Sequence, residues 1–160
     1  MRAEIFGIND FLAIMPRPRG NEGLEDEIIS LKSFGVKAIV SLLEPGEIIE
    51  LELDMEPVFC ERNEIIFLNF PIADRQVPAS FEETLTLVKK LSDFIDAGKK
   101  VAIHCRQGVG RSSLIAACVL VFQGASSKNV FERIAKARSC QVPDTNEQID
   151  WVALFANKFQ

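Results

Sequence analysis

The chain of 160 residues has 48% hydrophobic and 26% charged side chains, and 18 basic against 23 acidic groups give a formal net charge of −5. These values are ordinary for a soluble globular protein and predict a single domain over residues 1–160 with a substantial core. The acidic balance argues against general binding to nucleic acid or to anionic membranes. No apolar run is long enough to predict a membrane span.

Residues 1–4 lack the pattern of a secretory signal, so we expect a cytoplasmic protein, and we expect it to be a monomer. The four cysteines form no Cys-x-x-Cys pair, so the sequence predicts no metal site and no cofactor. Cys118 falls in an apolar stretch and is expected in the core. For Cys60 and Cys140 two interpretations stay open, simple packing or a resolving thiol for an oxidised cysteine.

Apolar periodicity predicts strands and helices that alternate along the chain. Residues 5–14 predict one or two edge strands, followed by a helix over 23–34, a buried strand over 36–43, a helix over 45–53 and a buried strand over 65–70. A helix over 80–97, a strand over 101–104 and helices over 112–123, 127–138 and 145–159 complete the series. This order indicates an α/β fold with a mainly parallel, twisted sheet of four to five strands and helices on both faces. The last three helices are expected to pack together on one side.

Residues 104–112 read His-Cys-Arg-Gln-Gly-Val-Gly-Arg-Ser and join the predicted strand 101–104 to the helix 112–123. A strand, a loop with two glycines and a helix N-terminus point backbone N–H groups and the positive end of a helix dipole at one spot. Such a spot binds tetrahedral anions. The same field favours a thiolate over a thiol. We therefore expect a phosphate-binding loop with Cys105 as the nucleophile.

The side chains of this loop suit the hydrolysis of a phosphate ester. Attack by Cys105 on phosphorus would form a phosphocysteine intermediate. Arg111 offers a planar, charged fork that can hold two phosphoryl oxygens. Ser112 can donate a hydrogen bond to the sulfur when it leaves. His104 is expected to orient the loop through hydrogen bonds, and the cradle itself is formed by Arg106, Gln107, Gly108, Val109, Gly110 and Arg111.

The loop resembles the signature of the cysteine-based protein tyrosine phosphatases, which is His-Cys, five residues, Arg and then Ser or Thr. Its Gly-x-Gly-Arg-Ser ending and the short chain are similar to the compact dual-specificity-like branch, including small bacterial and archaeal members and those like kinase-associated phosphatase. The resemblance implies a metal-independent phosphatase. Its expected partner is a phosphorylated protein or peptide that carries phosphotyrosine, and also phosphoserine or phosphothreonine.

Cleavage of the ester also needs a general acid that gives a proton to the leaving oxygen. Asp74 follows the predicted strand 65–70, whose carboxyl end we expect beside that of 101–104. Ligands gather at such strand ends in open α/β sheets. The resemblance places the general-acid aspartate in this loop, about thirty residues before the cysteine, and Asp74 matches it.

Four further residues are weaker candidates. Gln148 matches a glutamine that positions the hydrolytic water in related sequences, but with Thr145 it also forms a helix capping box, and both interpretations stay open. Glu44 ends the predicted strand 36–43 and can face the same site, although a solvated loop carboxylate is the simpler account. Arg75 and Arg17 are candidate rim residues, with ordinary surface loops as the alternative.

The substrate is left open by the sequence. The chain has no tyrosine, and therefore lacks a tyrosine-bearing recognition loop, which favours a shallow, permissive site. Phosphoinositides or other small phosphate esters are the second candidate class, because relatives of that kind carry lysines where this loop has Arg106, Gln107 and Val109. A non-catalytic phosphate-binding module would have lost the cysteine, the arginine or the acid. Sulfur or arsenate chemistry would need a second cysteine beside Cys105.

Overall fold

A computed structural model describes residues 4–159 of the chain. Five strands form a single sheet in the order β1-β2-β5-β3-β4, with β1 antiparallel to β2 and all other neighbours parallel. The strands are β1 (Phe6–Gly7), β2 (Leu12–Met15), β3 (Val36–Ser41), β4 (Ile66–Asn69) and β5 (Lys100–His104). The predicted α/β fold with a mainly parallel sheet is confirmed.

Helices cover both faces of this sheet. They are α1 (Leu24–Ser33), α2 (Pro45–Glu50), α3 (Glu56–Arg62), α4 (Phe81–Asp96), α5 (Arg111–Phe122), α6 (Val130–Arg138) and α7 (Asn146–Phe159). The last three pack together on one face, as predicted, and α4 joins them. Over residues 4–159, no helix combines the length and the apolar character that crossing a membrane would require.

Two hydrophobic clusters, one on each face, hold the layers together. Successive residues of β5 belong to different clusters. Ile103 faces the cluster of α4–α7, and Ala102 faces the cluster of α1 and α3. Alternate residues of a strand point to opposite faces, so a strand that is apolar throughout serves both clusters. The central helix α5 is buried from Arg111 to Val121, which explains why its sequence is apolar on every side.

The structure corrects two of the predicted strand positions. β2 is not an edge strand, since it lies between β1 and β5. β4 does not lie beside β5 either, because β3 is inserted between them. Order along the chain does not determine order in a sheet, and apolar periodicity contains no information on which strands pair.

The segment after β4 nevertheless reaches the end of β5. The N–H of Phe70 donates to the carbonyl of Ser41 at 2.9 Å, and the N–H of Ile72 donates to that of Leu42 at 3.0 Å. The N–H of Leu42 in turn donates to the carbonyl of His104 at 2.9 Å. The chain that follows β4 therefore crosses the end of β3, which places Asp74 over the loop that follows β5.

Helix α3 was not predicted. Its first turn contains Pro57, which fits there because the first N–H groups of a helix have no partner within the helix. Seven residues with few buried side chains give too short a periodic pattern to be recognised. The remaining elements lie within about three residues of their predicted ends, which is the usual uncertainty of helix and strand boundaries.

Candidate active site

The loop between β5 and α5 surrounds the sulfur of Cys105. This residue is 3% exposed, and its Sγ lies 3.4 Å from the Oγ of Ser112 in the first turn of α5. Gly108 has a φ of +72°, and a Cβ there would meet the backbone of Pro16 at 2.6 Å. The loop is therefore pressed against the end of β2 at a position that only glycine fills without strain.

A cavity of about 120 Å³ opens above the sulfur. Its lining consists of Asp74, Arg75, Cys105, Arg106, Gln107, Gly110, Arg111 and Asp144. The sequence singled out all of these except Asp144. Among these lining residues none is aliphatic or aromatic, so the cavity suits a charged or polar group.

Arg111 is one of the lining residues and is 1% exposed. Its Nη1 donates to Oε1 of Glu47 at 2.7 Å and its Nη2 donates to Oε2 at 3.0 Å. Nη1 also donates to the carbonyl of Ile72 at 2.8 Å, and Nη2 lies 3.3 Å from Oδ1 of Asp74. A buried guanidinium is tolerated because these acceptors compensate its charge and fix its plane.

The Glu47–Arg111 pair shifts the pKa of both partners. Burial pushes the pKa of Glu47 upward, but hydrogen bonds from Arg111 and from the N–H of Glu44, with the charges of Arg111 and Arg106, outweigh it and hold the pKa below its ordinary 4.5. Burial likewise works to lower the pKa of Arg111. The hydrogen bond to Glu47 and the negative charges of Cys105, Glu47 and Asp74 overcome this and raise it. Both groups are therefore charged near neutral pH.

Glu47 was not predicted from the sequence. For Glu44, the structure shows the solvated carboxylate that the sequence favoured as the simpler account. Glu44 is exposed and forms a capping box with Glu47 at the start of α2, so its carboxylate belongs to the helix end and does not line the cavity. Glu47 is three residues further along the chain, and residues at this spacing are neighbours on the surface of a helix. Residues 44–47 read Glu-Pro-Gly-Glu, and the spacing of the two glutamates is that of a capping box. This spacing is the sequence signal by which Glu47 could have been recognised.

His104 lies behind the nucleophile and is fully buried. Its Nε2 is 2.7 Å from Oε2 of Glu56, and its Nδ1 is 3.3 Å from the carbonyl oxygen of Cys105. Glu56 is itself 1% exposed. This chain of contacts links the first turn of α3 to the backbone of the nucleophile, which agrees with the orienting role expected for His104. Glu56 was missed because α3 was missed.

Arginines and acids alternate around the mouth of the cavity. Nη2 of Arg106 donates to Oε1 of Glu50 at 2.8 Å, and its Nη1 lies 3.8 Å from Glu47. Arg75, with a φ of +63°, has its Nη1 4.0 Å from Oδ1 of Asp144. Arg17, in contrast, is not a lining residue. Its guanidinium bonds the adjacent carbonyl of Pro18.

Gln148 is fully buried beside the loop and joins three segments. Its Oε1 accepts from the N–H groups of Asp144 and Thr145, at 3.0 and 3.2 Å, and its own N–H donates to Oγ1 of Thr145 at 3.1 Å. These contacts form the capping box considered from the sequence. The Nε2 of Gln148 donates to the carbonyl of Gln76, at 3.1 Å, and so holds the segment that carries Asp74.

Cys60, Cys118 and Cys140 do not line the cavity. Burial, helped by the charge of Glu56, raises the pKa of Cys60 to about 12, and burial also raises that of Cys118 well above its ordinary value. Cys140 is exposed, and all four thiols are free. Within residues 4–159, no group of three histidine, cysteine, aspartate or glutamate side chains is placed to hold a metal ion.

Comparison with known proteins identifies the family. A family model described as "Tc-R-P: Polymorphic toxin system, DSP-PTPase phosphatase" matches residues 13–125. Protein tyrosine phosphatase domain-containing protein 1 of Bos taurus is 35% identical over 147 residues, which is 84% of this chain and 18% of that protein. The chain thus spans about a fifth of the length of this curated relative.

Two solved structures have the same fold. A kinase-associated phosphatase with its catalytic cysteine changed to serine superposes with a TM-score of 0.91 at 21% identity, over 99% of this chain and 97% of that one. Tk-PTP in its active form gives 0.81 at 25% identity, over 96% and 97% of the two chains. The match to the family model and the bovine relative show that the chain belongs to the DSP-PTPase phosphatases, the dual-specificity branch of the cysteine-based protein tyrosine phosphatases.

Proposed function

We propose that the protein hydrolyses phosphate monoesters in phosphorylated proteins or peptides through a phosphocysteine intermediate, acting on phosphotyrosine and also on phosphoserine or phosphothreonine. The observation that supports this most directly is the composition of one cavity. Cys105, Arg111 and Asp74 all line it. A nucleophile, an anion clamp and a proton donor around one space are the parts that this reaction needs.

In the first step, the phosphoryl group sits in the loop with its phosphorus over the sulfur of Cys105. The thiolate forms an S–P bond as the bond from phosphorus to the ester oxygen breaks. Asp74 gives its proton to that leaving oxygen. The loop N–H groups and Arg111 hold the equatorial oxygens, where charge is spread in the transition state.

Arg111 has donors left for this task although four of its contacts are already made. Both Nη1 hydrogens are directed at Glu47 and at the carbonyl of Ile72. One Nη2 hydrogen goes to Glu47, and Oδ1 of Asp74 lies 3.3 Å from the same nitrogen. A phosphoryl oxygen would take the place of Asp74 at Nη2, with Nε as the second donor. Binding of the substrate would then release Asp74 to face the leaving oxygen.

In the second step, water attacks the phosphocysteine. Asp74, now ionised, takes a proton from this water while the S–P bond breaks and inorganic phosphate leaves. The hydroxyl of Ser112, 3.4 Å from Sγ, donates to the sulfur as it regains its negative charge. Gln148 holds the segment of Asp74 through the carbonyl of Gln76, and its amide lies next to the loop at Gly110; we propose that it also orients the attacking water.

The polar lining of the cavity favours a second candidate substrate class, small phosphate esters that carry hydroxyl groups, such as phosphoinositides. Gln107 and Asp144 both line the cavity and can bond such hydroxyls. The mouth argues against a polyanionic headgroup, however. Arg106 is paired with Glu50, and Arg75 lies beside Asp144, so these arginines carry little uncompensated positive charge. A peptide with a single phosphate is therefore the preferred substrate.

The test compares kcat/KM for a phosphotyrosine peptide, a phosphothreonine peptide and phosphoinositide vesicles with the same enzyme. Cys105→Ser should abolish turnover of all substrates while inorganic phosphate still binds, and Cys140→Ser, at an exposed cysteine, should leave the rates unchanged. Retained hydrolysis in Cys105→Ser would overturn the mechanism. Faster turnover of the vesicles than of either peptide would establish the second candidate class.

A further inference from the structure

Arg138, the last residue of α6, contacts the backbone of the phosphate-binding loop. Its Nε donates to the carbonyl of Gly108 at 3.1 Å, and its Nη2 donates to the carbonyl of Gln107 at 3.2 Å. Both carbonyls belong to consecutive peptide groups of the loop. Arg138 is not one of the residues that line the cavity.

The direction of these bonds matters for the amide groups of the loop. In a trans peptide the C=O and the N–H point in opposite directions. The carbonyl of Gln107 shares its peptide group with the N–H of Gly108, and the carbonyl of Gly108 shares its group with the N–H of Val109. Both N–H groups therefore point away from Arg138.

A glycine needs this external support more than other residues do. Gly108 has a φ of +72°, and glycine adopts positive and negative φ with similar ease. The peptide groups on either side of it can therefore rotate at low cost when nothing holds them. A bridging guanidinium joins two successive carbonyls with one rigid plane, which a lysine ammonium with a single nitrogen cannot reproduce.

Phe6 holds the guanidinium in place. The Cζ of Arg138 lies 4.2 Å from the centre of the Phe6 ring, within the range of a cation–π contact. Phe6 belongs to β1, the antiparallel edge strand of the sheet, and α6 packs on that strand. The guanidinium is thus confined between an aromatic ring on one side and two carbonyls on the other.

We propose that Arg138, held by Phe6, is a positioning residue that keeps the N–H groups of Gly108 and Val109 directed at the bound phosphate. The proposal rests on the proposed function insofar as it takes this loop to be the phosphate site. It gives the edge strand β1 and the end of α6 a part in anion binding, although neither contributes a group to the cavity.

The test measures the equilibrium dissociation constant for inorganic phosphate, which does not depend on turnover. Arg138→Met should weaken phosphate binding about tenfold or more, since two charge-assisted hydrogen bonds that orient the loop are lost. Arg138→Lys keeps the positive charge but loses the planar fork of the guanidinium. Its affinity for phosphate should therefore be about threefold or more below that of the native protein. Phe6→Leu should have a smaller effect in the same direction.

Arg133→Met is the matched control, because Arg133 is an exposed arginine of the same helix. It should bind phosphate as the native protein does. Each variant is first checked by thermal unfolding, and the binding constant is referred to the folded fraction. Addition of free ethylguanidinium to Arg138→Ala should restore part of the affinity, which general destabilisation would not allow.

Three outcomes would overturn the proposal. The first is native phosphate affinity in Arg138→Met, and the second is native affinity in Arg138→Lys, which would leave a role for charge alone. The third is an equal loss in Arg133→Met. Failure of the proposed function gives a different result. A protein that binds phosphate but hydrolyses no ester would refute the proposed reaction, and the phosphate affinities of the Arg138 variants would still test the role of Arg138. A native protein that binds no phosphate would refute both.

Discussion

Glu47 and Arg111 form a two-point ion pair beneath the cavity, with Oε1 2.7 Å from Nη1 and Oε2 3.0 Å from Nη2. The guanidinium is 1% exposed and the glutamate side chain 12%. A pair of this geometry orients the guanidinium as well as neutralising it. Helix α2 contains no lining residue of the cavity, yet through Glu47 it determines how Arg111 is presented to a substrate.

Glu47→Gln should lower both stability and activity. The amide keeps one acceptor but leaves the buried charge of Arg111 without its main partner, so we expect a loss of about 1–3 kcal/mol in the free energy of unfolding. A guanidinium that is free to turn should also reduce kcat/KM about tenfold or more. Denaturant unfolding and steady-state kinetics measure the two effects.

The control for this variant is Glu50→Gln. Glu50 is 63% exposed and binds Arg106 at the surface, where ion pairs contribute about 0–1 kcal/mol. It should change stability little. Equal losses of unfolding free energy in Glu50→Gln and Glu47→Gln would show that the buried pair stabilises the protein no more than the surface pair does.

The lowered pKa of Glu47 predicts a pH dependence of stability. Its ionised form is favoured by folding, so the stabilisation is complete above the ordinary pKa of 4.5 and is lost as the pH falls through the lower folded value. The difference in unfolding free energy between the native protein and Glu47→Gln should therefore be constant near neutral pH and shrink below about pH 4.5. Urea titrations at several pH values test this, and a difference that grows toward acid would contradict it.

Asp74→Asn should remove the proton donor while leaving the clamp in place. The rate should fall most for esters with poor leaving groups, and the decline of activity at alkaline pH should disappear, because no acid is left to lose its proton. Asp144→Asn is the matched comparison, since Asp144 also lines the cavity and its Oδ1 lies 4.0 Å from Nη1 of Arg75. Loss of the alkaline decline in Asp144→Asn and not in Asp74→Asn would assign the general acid to Asp144.

The phosphate-binding loop is predictable from the sequence because its parts are contiguous. Cys105, two glycines, Arg111 and Ser112 lie within eight residues, so local chemistry defines the cradle. The strands and most helices are likewise predictable, since apolar periodicity is a local property. Asp74 is predicted from its place after a strand and from the family resemblance, although the strand order assumed for it was wrong.

The residues that hold the loop from outside could not be found in this way. Glu47, Glu56 and Arg138 lie 64, 48 and 30 or more positions from the groups they bind. Their contacts depend on how α2, α3 and α6 pack against the sheet, and pattern analysis does not supply that arrangement. Each is a charged residue on a helix, and in a sequence such a residue looks like any solvated surface group.

Gly110→Ala tests how tightly the side chains of Asp144 and Gln148 pack against the backbone of Gly110. Gly110 has a φ of −86°, which alanine adopts without strain, so the effect of the substitution is steric. A Cβ there would overlap the carboxylate of Asp144 and lie 3.2 Å from the Nε2 of Gln148. Because a misplacement of about 1 Å is enough to disturb catalysis, kcat/KM should fall about tenfold or more.

The same substitution at Gly46 in α2, where nothing lies within 4 Å of the added atom, should leave activity unchanged and raise the free energy of unfolding by about 0.5–1 kcal/mol. Steady-state kinetics and denaturant unfolding of both variants check these outcomes. Activity of Gly110→Ala within twofold of the native protein would mean that Asp144 and Gln148 yield without disturbing the loop.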